Sequence, residues 1–195
     1  MKKSIIQKAE DYVRRLFDGN SGGHDFMHAL RVAETARKIA EDEGYGPETA
    51  ENTVLAALLH DADDGKLFDT EDCENAMGFL LGEGMERGRA ERICRAIGAV
   101  SFSKNGLKAP DTPEGRAVQD ADRLDAMGAV GIARTFAYGG ERGRSMADSV
   151  GHFHEKLLRL IGGMNTETAL REAARRLAYM EGYLTELERE TGGNV

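Results

Sequence analysis

Apolar positions recur along most of this chain at intervals of three and four, the period of helices buried on one face, and strict alternation is scarce. The first such segment spans about 4–17, and Gly19-Asn20-Ser21-Gly22-Gly23 breaks it. A second runs from about His24 to Glu43, with Val32, Ala36, Ile39 and Ala40 on one face, and Gly44-Tyr45-Gly46-Pro47 ends it. Pro47 opens a third helix that reaches about Asp61. Further helical segments fall near 70–82 and 86–100. Thr112-Pro113-Glu114 reads as an N-cap followed by proline at the first helical position, opening a long helix to about Tyr138. Gly139-Gly140-Glu141-Arg142-Gly143 reads as a loop, and two last helices cover about 147–161 and 166–190, the second from the cap Asn165-Thr166. No repeat, low-complexity tract or linker divides the chain. The pattern predicts one all-α domain over residues 1–195, a helical bundle whose C-terminal helices (about 147–190) pack on a core at about 20–138.

Polar residues of one chemical kind interrupt the apolar faces. Val54-Leu55-Ala56-Ala57-Leu58-Leu59 runs directly into His60-Asp61. An imidazole and a carboxylate at the end of the most apolar helix need a partner, and a divalent metal suits both. His28 lies four, eight and eleven residues before Val32, Ala36 and Ile39, so it faces inward with them. Val118, Asp122, Asp125, Ala129, Ile132 and Phe136 form one face of the long helix, which makes Asp122 an inward carboxylate. Taken singly, His28 reads as a satisfied core histidine and Asp122 as the partner of Arg116 or Arg123. Three helices bringing such groups to their buried faces are explained most economically by one ion.

Composition narrows the partners. The 195 residues include 41% hydrophobic ones, enough for one domain with a core. With 26 basic and 34 acidic residues the formal charge is −8, which disfavours nucleic acid and anionic membranes. A phosphate-bearing small molecule stays open, given a local positive site. Cys73 and Cys94 are too sparse for a disulfide scaffold and lack CxxC spacing, so they read as free thiols in a reducing cytoplasm. Charged residues interrupt the N-terminal apolar segment, which therefore does not read as a signal peptide, and no stretch is long enough to span a bilayer. No P-loop, G-x-S-x-G elbow or CxxC zinc pattern occurs.

The order His … His-Asp … Asp resembles the HD-domain superfamily of metal-dependent phosphohydrolases. His-Asp-x-x-His-x-x-Arg-Val at 24–32, Ala-Ala-Leu-Leu-His-Asp at 56–61, Ser-Phe-Ser-Lys at 101–104 and Gln-Asp-Ala-Asp-Arg-Leu-Asp-Ala-Met-Gly-Ala-Val-Gly-Ile-Ala-Arg at 119–134 are similar to a bacterial branch of small stand-alone members. His-Phe-His-Glu-Lys-Leu at 152–157 and Met-Asn-Thr-Glu-Thr at 164–168 fit that branch too. The resemblance implies an all-α HD-type bundle with one metal ion on His28, His60, Asp61 and Asp122, the last preferred over Asp120. Two-metal members carry extra histidines after the His-Asp pair; here none lies between His60 and His152, which favours a single ion. Two histidines tilt the choice towards Mn²⁺, with Mg²⁺, Fe²⁺, Co²⁺ or Ni²⁺ as alternatives. Asp64 matches the acidic position that follows the His-Asp pair in the alarmone-hydrolase branch and is assigned as general acid or base, with Asp63 as its rival. Lys66, Arg31 and Arg123, with Lys104 the weakest case, are candidates to meet substrate phosphate, and His24 to touch substrate or support the metal. His152, His154 and Lys156 suit either core packing or a lid. The implied activity is phosphohydrolysis of nucleotides, specifically nucleoside-triphosphate pyrophosphohydrolysis. A nucleotide phosphomonoesterase and a metal-retaining, non-catalytic nucleotide-binding module are the alternatives, and a homodimer stays open.

Overall fold

The computed structural model describes residues 3–19, 25–65, 67–71, 73–101 and 105–193. Among them there is no strand. The helices are α1 (Ile5–Leu16), α2 (Phe26–Asp42), α3 (Pro47–Leu59), α4 (Glu74–Gly82), α5 (Arg87–Gly98), α6 (Pro113–Asp125), α7 (Gly128–Glu141), α8 (Met146–Glu155) and α9 (Glu167–Thr191), with a 3₁₀ segment at Leu157–Gly163. The fold is all-α.

α3 is the hub. Its residues from Asn52 to Leu59 are buried without interruption, so it is apolar all round and must be surrounded. α2 and α6 pack on it and on each other, α1 and α5 cover further sides, and α9 lies across α6 and α7. Local signals set the starts of the two flanking helices. Asp25 accepts the His28 backbone N–H (2.6 Å) at the head of α2, and the Thr112 hydroxyl accepts that of Gly115 (3.1 Å) at the head of α6, with Pro113 at its first position. Both caps lie one helix length or less from the polar residues singled out above.

The single helix expected from 112 to 138 is two helices. α6 stops at Asp125, Met127 is extended (φ −116°, ψ 164°), and α7 begins at Gly128 with φ +70°. Two glycines permit the break. Gly128 takes the left-handed conformation at no steric cost, and a Cβ on Gly131 would run into the Ala126 carbonyl oxygen. Arg176 of α9 donates to the Leu124 carbonyl (2.6 Å) and satisfies the end of α6. The face drawn through Val118, Asp122, Asp125, Ala129, Ile132 and Phe136 therefore ends at Asp125, and Ala129 is exposed. Residues 139–141 continue α7 instead of forming a loop, and the helix expected to reach 161 gives way to the 3₁₀ segment.

The cysteines also depart from expectation. Cys73 and Cys94 form a disulfide (Cα–Cα 5.9 Å) that ties the start of α4 to α5. The two residues are 21 apart in sequence, and the packing of α4 on α5 brings them together. No described helix is long and apolar enough to cross a membrane.

Candidate metal centre

The three hub helices deliver the predicted ligands to one point. His28 comes from the first turn of α2, His60 and Asp61 follow the last residue of α3, and Asp122 lies in the last turn of α6. Asp61 Oδ2 is 3.4 Å from His28 Nε2 and 3.3 Å from His60 Nε2. Asp122 Oδ1 is 3.4 Å and 3.8 Å from the same two nitrogens. Two donors each about 2.1 Å from one ion, at tetrahedral or octahedral angles, stand roughly 3.0–3.4 Å apart, so this spacing fits a shared ion with slight expansion. Ligand atoms of His28, His60 and Asp122 all fall within 4.8 Å of one another.

The imidazoles are oriented for this task. His60 Nδ1 donates to the Ala57 carbonyl (2.8 Å), which places the lone pair on Nε2; that nitrogen is buried and makes no hydrogen bond. A buried acceptor without a donor is costly, and a metal ion would relieve it. His28 Nδ1 bonds Asp125 Oδ2 (2.7 Å), leaving Nε2 directed at Asp61 and Asp122. The donor set of two imidazoles and two carboxylates fits a divalent transition metal. Asp122 has the most exposed of these side chains, at 31%, so the centre borders solvent there.

Asp125 anchors a second layer. Its Oδ1 accepts Arg31 Nε (2.7 Å), and Oδ2 accepts Arg31 Nη2 (3.0 Å) and Arg134 Nη1 as well as His28. Burial works against ionising Asp125, yet His28 and Arg31, with Arg134, hold its carboxyl well below the usual range. Burial likewise opposes protonated His28, but the carboxylates of Asp122, Asp125 and Asp61 raise its pKa well above the ordinary imidazole value without an ion. Burial also raises and the His28 and His60 imidazoles more strongly lower the pKa of Asp122.

Other candidates are sorted by their bonds. Asp120 is fully buried and accepts from Asn165 N (2.8 Å), Asn165 Nδ2 (2.7 Å), Thr166 N (2.9 Å) and Thr166 Oγ1 (2.8 Å), so it anchors the start of α9 away from the centre. Asp63 accepts the Asn75 and Ala76 backbone N–H groups (2.8 and 3.2 Å) and caps α4. Asp64 is partly buried one turn beyond Asp61, whose carbonyl its N–H meets at 3.1 Å. Arg123, expected to meet substrate phosphate, does not: it is 3% exposed and donates to the Gly163 and Gly106 carbonyls, joining α6 to two turns of chain. One residue past Asp122, it points about 100° away around the helix. His24, Lys66 and Lys104 lie outside the described residues. His154 of α8 lines a groove of about 650 Å³ with Val150, Leu158 and Leu184, to which none of the four ligand candidates contributes. Arg134 closes the motif at 119–134, but no site role was assigned to it from the sequence.

The HD domain family model matches residues 25–127, and the chain belongs to the HD domain family. It is 38% identical over 195 residues to the uncharacterized protein YpgQ of Bacillus subtilis (strain 168), spanning 96% of this chain and 94% of that protein. The crystal structure of B. subtilis YpgQ in complex with ADP matches with a TM-score of 0.82 at 36% identity, covering 95% of this chain and 94% of that one. An HD-superfamily hydrolase from Bacillus thuringiensis matches with a TM-score of 0.79 at 36% identity over 97% of each chain. These neighbours support a hydrolase.

Proposed function

We propose that this protein is a metal-dependent phosphohydrolase of nucleotides, with one divalent ion on His28, His60, Asp61 and Asp122 and nucleoside-triphosphate pyrophosphohydrolysis as its reaction. The observation that carries the reading is the buried, unbonded Nε2 of His60 at the meeting point of a second imidazole and two carboxylates. Mn²⁺ suits the two-nitrogen, two-oxygen set better than Mg²⁺, which prefers oxygen alone. Bound there, the ion would polarise a phosphoryl group and lower the pKa of a water molecule. A carboxylate oxygen of Asp64 accepts the proton of the attacking water, and the binding of Asp63 to two backbone N–H groups as a helix cap weighs against Asp63 in that role. Arg31, Lys66 and His24 serve the substrate side. The ADP complex of the B. subtilis relative supports a nucleotide ligand. We take residues 1–195 as one HD domain, since α9 packs directly on α6 and α7.

The test is a nucleotide panel with Mn²⁺, reading pyrophosphate and phosphate separately, beside the His60→Ala/Asp61→Ala protein. Pyrophosphate release lost in that variant is expected. Phosphate release instead would move the assignment to the phosphomonoesterase reading, and no turnover in a metal-loaded protein would refute an enzyme of nucleotides. Asp64→Asn should keep the metal and lose about 10²–10⁴-fold in rate.

A further inference from the structure

The 25-residue α9, about 37 Å long, buries Ala169, Ala173 and Met180 and leaves its opposite side in solvent. Leu170 stands 49% exposed there, and Ala174, Ala178 and Gly182, all exposed, continue its row at intervals of four. Beside the C-terminal half of α9 runs the groove of about 650 Å³, lined by apolar Val150, Leu158 and Leu184 and by polar Glu181, Thr185 and Glu188. Eleven residues make three helical turns to within about 20°, so Leu170 and Ala174 point to the same side of α9 as Glu181 and Thr185. Charge divides along the same helix. From Glu167 to Ala178 it carries three arginines and two glutamates, and from Tyr179 to Thr191 four glutamates and one arginine. Arg171 and Arg175 meet Glu167 and Glu172 on α9 itself, yet stay 67% and 69% exposed, free to reach outward. Glu181 and Glu188 have no ion-pair partner among the described residues, and Glu188, in the last turn, also opposes the helix dipole. The groove therefore suits a helix that presents an apolar side chain flanked by cations, and the first half of α9 is such a segment.

We propose that the groove takes α9 of a second copy of this chain. The two helices cross antiparallel about a two-fold axis near Ala178, which lies about midway between Leu170 and the groove residues. Each copy's Leu170 then enters the other's groove, and each copy's Arg171 and Arg175 face Glu181 and Glu188 of the other. A two-fold interface is self-complementary, so one set of contacts serves both ends. The row from Leu170 to Gly182 is an i±4 ridge, and its small side chains at Ala174, Ala178 and Gly182 let the helix axes approach closely where they cross. A parallel pair would set acid against acid and leave both grooves without an apolar occupant.

The experiment is analytical ultracentrifugation of the full-length protein, 21.3 kDa per chain, near physiological salt. Wild type should sediment as a dimer with a micromolar or tighter Kd. Leu170→Glu should raise that Kd about 100-fold or more, because it sets a further carboxylate beside Glu181 and Glu188. Arg171→Glu/Arg175→Glu and Glu181→Arg/Glu188→Arg should each be monomeric alone and form a heterodimer when mixed, since each reversed pair then meets its complement at both ends. Mixing also guards against a folding artefact, because two misfolded chains would not restore each other's pairing. A wild-type monomer at about 100 µM would overturn the proposal and leave the groove to an occupant other than this chain. A dimer that Leu170→Glu does not weaken, charge variants that still dimerise alone, or variants that fail to pair on mixing would each place the interface elsewhere and overturn it.

Discussion

Replacing Asp63 by Ala separates architecture from chemistry in the segment that follows His60 and Asp61. α4 starts without a local cap: Cys73, its N-cap residue, sits at φ +66° and its side chain makes no capping bond. The missing acceptor comes from Asp63, whose two oxygens take the Asn75 and Ala76 N–H groups at 2.8 and 3.2 Å, while Asn75 Nδ2 returns a bond to the Ala62 carbonyl at 2.8 Å. Loss of a cap costs about 0.5–2 kcal/mol, and an ionised acceptor belongs in the upper half of that range. Asp63 is only partly buried, so water can reach the released N–H groups, and about 1–2 kcal/mol is the working figure. For a chain of this length that lowers Tm by roughly 2–8 °C. The Cys73–Cys94 disulfide holds the same end of α4, so the loss should be smaller in oxidised protein and larger after reduction. The assay is thermal melting with and without reductant, beside Mn²⁺ titration and turnover at saturating metal. Asp63→Ala should lower Tm with turnover within about 3-fold of wild type, the reverse of the rate loss expected for Asp64→Asn. An unchanged Tm together with abolished turnover would refute the reasoning and exchange the roles of the two aspartates.

Two further outcomes test other parts of the fold. Cys73→Ser/Cys94→Ser removes a cross-link between residues 21 apart, worth about 3 kcal/mol in the loop-entropy account, so Tm should fall by roughly 6–12 °C and become insensitive to reductant. A wild-type Tm that does not respond to reductant would show that the bond does not stabilise the protein. Arg175, then Arg176, hold the Glu172 carboxyl down to about 2 against some burial. Its folded pKa lies below its unfolded value, so this contribution is present above about pH 4.3 and is lost as pH falls towards 2. Discounted for a side chain 31% exposed it is about 1 kcal/mol, so Glu172→Gln should lower Tm by about 2–4 °C at pH 6 and by progressively less towards pH 3. A gap constant across that window would sink the assignment.

What the chain announces in advance is what depends on neighbours within a few residues. The run into His60-Asp61 marks α3 as the surrounded helix, and the spacing from His28 to Ile39 turns that imidazole inward, where it is 2% exposed. Between Val118 and Asp125 the helical face also holds, which is why Asp122 and not Asp120 meets the histidines. What the chain conceals depends on contacts made across the fold. Asp63 caps a helix that begins eleven residues later, and Cys73 meets Cys94 only because α4 packs on α5. Arg134 is the instructive case. It is nine residues from Asp125, and on an unbroken helix nine residues are two and a half turns, which would put the two side chains on opposite faces. The break at Met127-Gly128, with Gly131 folded against the Ala126 carbonyl, reverses that geometry and returns the guanidinium to the carboxylate. Helical periodicity runs smoothly through both halves, so the pattern of apolar residues hides the break while the glycines alone permit it. The contact between Arg134 and Asp125 is thus a product of the helix break, and the two glycines are as much a part of the second layer around His28 as the side chains that touch it.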